Sequence, residues 1–287
     1  MKAAMRKRGS RMNRSPIDFR LANYHTHTVR CQHAAPDPEE AYVQRAIRNG
    51  YEVLGFADHS AWPYKSDFVA DMRMRLDELD GYMAAVQDLR ERYAGQIRVH
   101  CAMDCDAFPE FYPWLREIKQ EKGLDYFILG NHYDTSDENN SGFYFGRCRD
   151  ARTAYRYMET TIAGMESGLF AYLAHPDLFL YRYPCFDADA KRVCRELCAA
   201  AKRLNLPLEY NLLGHKRSPG SREQGFVGYT SPEFWETAAE EGGLRAIIGV
   251  DAHAPADLDC VDTYVEIRKR LQGMGIEVLD VLEDVER

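Results

Sequence analysis

From residue 18 onward the chain alternates two patterns. Short, almost continuously apolar runs are separated by longer segments in which apolar residues recur every three to four positions. The runs are DFRLANYHT, YEVLGFADH, IRVHCAMDCD, LDYFILGNH, LFAYLAHPD, LPLEYN and LRAIIGVDAH. Strands apolar on both faces belong in a sheet that is covered on both sides. The intervening segments, among them PEEAYVQRAIRNG, LDELDGYMAAVQDLRERY, ARTAYRYMETTIAGMESG, ADAKRVCRELCAAAKRLN and SPEFWETAAEEGG, carry the helical period. Several have Gly just past the end, and Ser231 with Pro232 supplies a helix N-cap and first turn. Seven strands alternating with helices predict a parallel sheet closed, or nearly closed, as a β/α barrel. An open doubly wound sheet is the alternative, but no glycine-rich phosphate loop accompanies it.

The polar residues fall at one recurring place. Five runs end in a residue able to hold a metal: His25, His59, His132, His175, and Asp251 with His253. In a parallel barrel the carboxyl ends of all strands meet on one face, so these residues converge although they are far apart in sequence. His25 and His27 are two apart on a strand and share a face. His33 follows after a short loop, and Asp58 stands beside His59. A single histidine is more often structural than ligating, but seven of the nine histidines at equivalent strand ends point to a metal site. Mixed imidazole and carboxylate donors suit Zn, Mn or Fe better than Ca or a thiolate-bound ion.

Composition narrows the partners. With 45% hydrophobic residues the 287-residue chain can bury a full core unaided, and its net charge of -8 disfavours nucleic acid. No apolar stretch approaches the ~20 residues a membrane span needs. Residues 1–17 are the exception in charge, a basic tail carrying Lys2, Arg6, Lys7, Arg8, Arg11 and Arg14 and expected to lack fixed structure; residues 18–287 are expected to form one domain. Eight cysteines without a C-x-x-C pair or a secretory segment read as reduced thiols in the cytoplasm, and Cys194 and Cys198, one helical turn apart, read as core.

In order along the chain, YHTHT, FADHS, LGNH, LAHPD, LEYN and GVDAHAP resemble the motifs of the polymerase-and-histidinol-phosphatase (PHP) family, in its histidinol-phosphatase branch, over residues 23 to about 255. The resemblance implies a distorted (β/α)7 barrel of the PHP type. It also implies a cluster of two or three divalent ions, and hydrolysis of a small phosphorylated substrate, L-histidinol phosphate, in histidine biosynthesis. Carried over motif by motif, it gives His25, His27 and Asp251 to a first metal, His132 and His175 to a second, and His33, His59 and His253 to a third. Where the family carries a bridging glutamate this chain has Asp104, one methylene shorter, with Asp106 as the fallback bridge. Adjacent ions bind phosphate oxygens and activate a water, beside which Asp104, Asp251 and His253 are the expected catalytic neighbours.

Arg182, in the YRYP loop, and Arg217, in the loop after LEYN, are placed to reach the phosphate. Glu209 and Asn211 are expected to bind the substrate or to back the ligands, His215 to do the same or face solvent, and His100 to be structural. A phosphorylated-aspartate mechanism lacks its own signature, because the one D-x-D at a strand end is Asp104-x-Asp106. Two other readings stand beside the phosphatase: a PHP phosphoesterase acting on nucleotides or oligonucleotide ends, and a metal-stabilised binding module without turnover.

Overall fold

The computed structural model describes residues 17–287, so the expected basic tail lies outside the described residues except for Ile17. Seven strands run through them: β1 Ala22–Asn23, β2 Val53–His59, β3 Arg98–Cys105, β4 Tyr126–Leu129, β5 Leu208–Asn211, β6 Arg245–Gly249 and β7 Glu277–Val278. β1 to β4 pair side by side in that order and all parallel, and β5, β6 and β7 form a second parallel set.

Residues 171–174 join the two sets. The Ala171 and Ala174 amides donate to Phe127 and Leu129 on one side, and Leu173 exchanges hydrogen bonds with Pro207 and Glu209 on the other. At the far edges the His27 amide donates to the Ala252 carbonyl at 2.8 Å and Ala252 returns a bond to His25 at 3.1 Å. These contacts close the curled sheet into a distorted barrel. The LFAYLAHPD run is thus a stave with only brief regular pairing. β7 is an addition absent from the sequence reading; it takes the edge of β6 below the Ala252 contact, with Arg245 opposite Glu277.

The helices are α1 Glu39–Asn49, α2 Leu79–Arg92, α3 Tyr112–Lys122, α4 Ala151–Glu166, α5 Ala188–Leu204, α6 Leu212–Glu223, α7 Pro232–Glu241, α8 Val261–Gly273 and α9 Glu283–Glu286. α5 shows why they form. Asp187 caps it by accepting from the Ala190 amide, and Asn205 ends it in the left-handed conformation. Between those signals Val193, Cys194, Leu197, Cys198 and Ala201 make a buried stripe against α4 and α7. Burying each larger member of that stripe contributes about 1.5–3 kcal/mol, and the two cysteines are core residues as the sequence reading has them.

α6 corrects an expectation. The segment after LEYN is a helix, not a loop, because Asn211 caps it by accepting from the Gly214 amide at 2.8 Å. Pro219 and two glycines hide its period in the sequence. Arg217 therefore stands on α6. No helix among the described residues is long and apolar enough to cross a membrane.

Candidate metal centre and active site

The carboxyl ends of the staves carry the polar residues onto one face of the barrel. Two strand-end turns use strained backbone to do so: His175 has φ 29° and Asp251 φ 54°. Asn131, just before His132, has φ 46°. Left-handed conformations at non-glycine residues cost about 1–3 kcal/mol each and persist where the surrounding fold enforces them. Here they swing ligand-type side chains over the mouth.

The side chains then meet. His25 Nε2 lies 3.1 Å from His27 Nε2 and 3.5 Å from Asp251 Oδ1, while His27 Nε2 lies 3.1 Å from the same oxygen. Asp104 Oδ2 has His59 Nδ1 at 3.1 Å, His132 Nε2 at 3.6 Å and His25 Nε2 at 3.7 Å. His33 Nε2 and His253 Nε2 are 3.0 Å apart, and the His132 and His175 ring centres 4.9 Å. Several triads hold their ligand atoms within 4.8 Å of one another and could take a metal ion, among them His25, His27 and Asp251; His25, Asp104 and His175; and His27, His59 and His253.

A supporting layer fixes these rings. Glu209 Oε1 accepts from His25 Nδ1 at 2.8 Å, which turns Nε2 toward the cluster. Glu209 Oε2 accepts from the His175 amide and from Asn211 Nδ2, and Asn211 also reaches Asp251 Oδ2 at 3.1 Å. Both residues are fully buried, with their polar atoms engaged by protein, an arrangement that fits the second of their two expected roles, backing the ligand-type residues. Asp58 faces His27 Nδ1 at 3.6 Å and takes the Thr28 amide. Asp106, the fallback bridge, stands behind His132: it pairs with the buried Arg73 guanidinium, accepts from the His132 and Tyr133 amides, and has His132 Nδ1 3.5 Å from its Oδ1. Gly249 and Gly130 make room for this packing, since a Cβ on either would collide with the carboxylate of Glu209 or Asp104 respectively.

The donor set fits a cation cluster. Both Asp104 oxygens, Asp251 Oδ1, and Nδ1 of His59 and His175 are buried without hydrogen-bond partners, a costly state for polar atoms unless an ion engages them. Burial pushes the Asp104 and Asp251 carboxyls up, but the surrounding imidazoles outweigh it and hold both well below the usual range, ionised. Burial and His132 lower His175 to about 4, and burial and His27 lower His253 to about 3. Neutral imidazole and ionised carboxylate are the forms that bind metals; at His25 and His27 burial also pushes the pKa down, but the neighbouring carboxylates outweigh it and raise both, His27 to about 9, so an ion bound there would displace protons.

Beside the cluster lies a cavity of about 360 Å³, lined by His33, His59, His132, His175, Asp251 and His253 on its floor and by Tyr133, Tyr144, Arg147, Leu213, Arg217 and Tyr229 on its walls. Of the two arginines expected near the phosphate, Arg217 lines the cavity. Arg182 does not: it is exposed, outside the cavity lining, and stacks over Tyr181. Arg147, a residue the sequence reading missed, lines the cavity with Arg217. The available signal was weak, a basic residue in the connection after β4, which as a β-to-α connection borders the mouth. His215 bonds Tyr210 away from the cavity, and His100 bonds Glu286 at 2.9 Å at the start of β3.

The barrel, the strand-end histidines and the motif order are those of a metal-type phosphoesterase, and residues 23–213 match the PHP domain family. The chain belongs to that family. It is 28% identical over 86% of its length to a "Probable histidinol-phosphatase" of Deinococcus radiodurans, covering 93% of that protein. With the histidinol-phosphatase of Bacillus subtilis it shares 23% identity over 82% of its length and 94% of the relative's. The fold is also that of the histidinol phosphate phosphatase of Lactococcus lactis, solved with zinc, L-histidinol and phosphate: TM-score 0.64 at 17% identity, over 91% of this chain and 95% of that one.

Proposed function

We propose that the protein is a phosphoric monoester hydrolase that converts L-histidinol phosphate and water to L-histidinol and phosphate, a step of histidine biosynthesis. The observation that carries this reading is the convergence of buried, unpartnered imidazole and carboxylate atoms on the floor of one cavity with arginines on its wall. Relatives along nearly the whole chain are named for the same activity.

We assign His25, His27 and Asp251 to a first ion, His132 and His175 to a second, His33, His59 and His253 to a third, and Asp104 as the bridge between the first two. Supporting the bridge, Asp104 Oδ2 lies among His25, His59 and His132. Divalent ions held there, Zn, Mn or Fe, would supply Lewis acidity toward phosphate oxygens and toward a water. The chain's own residues do the rest. Arg217 and Arg147 orient the phosphate with charge-assisted contacts. Tyr133, Tyr144 and Tyr229 narrow the space around the ester. Asp104, Asp251 and His253 border the reacting phosphorus. Eight free cysteines suit a reducing compartment, and we place the enzyme in the cytoplasm.

The test is phosphate release from L-histidinol phosphate by purified protein, with metal content measured on the same sample. Chelation should abolish turnover and Mn, Zn or Fe restore it; full turnover by metal-free protein overturns the reading.

A further inference from the structure

The cavity mouth carries charges that form no ion pair. Among the described residues Arg147 and Arg217 line it without a salt bridge, Arg217 resting on Tyr229 and in the field of Asp251, and Asp71 lines it with neither a hydrogen bond nor an ion pair. Other surface arginines are matched, as Arg45 is with Asp259 and Arg90 with Asp125, and what sets Arg147, Arg217 and Asp71 apart is that they share one cavity. Unmatched charges of both signs around one cavity suit a ligand that carries both.

Asp71 is also held in place. Gln32 Nε2 donates to the Ala70 carbonyl and to the Arg73 carbonyl, each at 2.7 Å, so one side chain pins the backbone on both sides of Asp71 and Met72. The Arg73 guanidinium, buried, ties the same segment to Asp137 at 2.7 Å and to Asp106, which in turn holds the His132 amide. Asp71 and Met72 thus form a short arch fixed over the cavity, and a carboxylate presented this way loses little freedom on meeting a cation.

We infer that Asp71 is a specificity-determining residue that receives the ammonium group of the substrate, selecting phosphomonoesters that carry a cation close to the ester. This rests on the phosphatase reading. The phosphate lies toward the ions, Arg147 and Arg217; the ammonium on the carbon next to the ester-bearing carbon turns to Asp71; and Met72, Leu178 and Leu213 offer apolar surface to the rest. An anionic group at that place is repelled by the same carboxylate, which discriminates by rejection as well as attraction.

The experiment compares kcat/KM of the metal-loaded enzyme on ethanolamine phosphate and ethyl phosphate, esters that differ by one ammonium group, alongside L-histidinol phosphate. Wild type should prefer the ammonium ester by roughly 10- to 100-fold, the effect of one charge-assisted contact. Asp71→Asn should bring that ratio toward unity through KM, and Asp71→Glu should restore part of it. Arg147→Gln should lower both esters together. A ratio the same in wild type and Asp71→Asn, or no preference in wild type, overturns the inference. If L-histidinol phosphate is ignored while the ratio depends on Asp71, the substrate reading fails and this inference stands. An enzyme inactive on every ester ends both.

Discussion

Asp104 and Asp106 stand two apart at the end of β3 and have different work. Asp104 sits among imidazoles with both oxygens free of hydrogen bonds, whereas Asp106 is spent on Arg73 and on the backbone that carries His132. Asp104→Asn should therefore remove metal and turnover together, activity falling by more than the about 10- to 100-fold typical of residues that only support a ligand. Asp106→Asn should show itself first in a thermal melt, because it removes one of the two carboxylates that neutralise the buried Arg73 guanidinium, Asp137 remaining, and a hydrogen bond to a charged group is worth about 1.5–3 kcal/mol. Equal melting temperatures for wild type and Asp106→Asn would contradict the geometry. Glu209→Gln tests the supporting layer: metal affinity should drop about 10- to 100-fold with KM nearly constant, and a change confined to KM would return Glu209 to the substrate. Strand ends explain what the sequence exposed at this scale. His25, His27, His132 and Asp251 could be located because strand period and barrel geometry bring them to one face. Arg147 and Asp71 could not, since whether a loop residue borders the cavity depends on anchors such as Gln32 and Arg73 that no local pattern announces.

Elements obey the same division. The regular helices were legible because caps and apolar stripes coincide, as in α5, while α6 was not, its apolar period being broken by Pro219. The fifth stave was legible as an apolar run although its pairing is brief, and β7 was not, being two residues long. Two glycines make a paired test of element packing. Gly249→Ala at the end of β6 drives a Cβ into the Glu209 carboxylate, and overpacking of this kind costs typically about 1–3 kcal/mol. Gly81→Ala on α2 meets open space and should raise stability by about 0.5–1 kcal/mol. Chemical denaturation of both variants checks the contrast. α9 adds a pH dependence. Glu286 accepts from Tyr24 at 2.7 Å and His100 at 2.9 Å. Burial pushes His100 down, but hydrogen bonds to Asp125 and Glu286 outweigh it and raise its pKa. A raised histidine stabilises fully below its unfolded value of about 6.5 and loses that contribution as pH climbs through the folded value. Burial pushes Glu286 up while His100 and Tyr24 hold it low, so its share is lost as pH falls. The stability gap between wild type and His100→Gln should thus be widest between about pH 4.5 and 6.5 and narrow on the alkaline side, read from melts across that range.

At the scale of the whole molecule, the barrel consists of two sheets that meet along narrow seams, at residues 171–174 and where His27 meets Ala252. The ligand-type residues are divided across those seams. His25, His27, His59, Asp104 and His132 ride with the four-stranded sheet, and Asp251 and His253 with the other, with His175 just past residues 171–174. On the proposed ligand assignment, ions bound to both sets would act as fasteners, and occupancy would become part of folding stability by mass action. Stripping them should do more than silence the enzyme: backbone amides at Ala252 and Leu173 should exchange with deuterated water faster, while those in the middle of β2 and β3 hold. A cell short of these metals would then hold a barrel unzipping at its joints, open to proteases there, and the amount of the enzyme would follow metal supply as closely as its rate does.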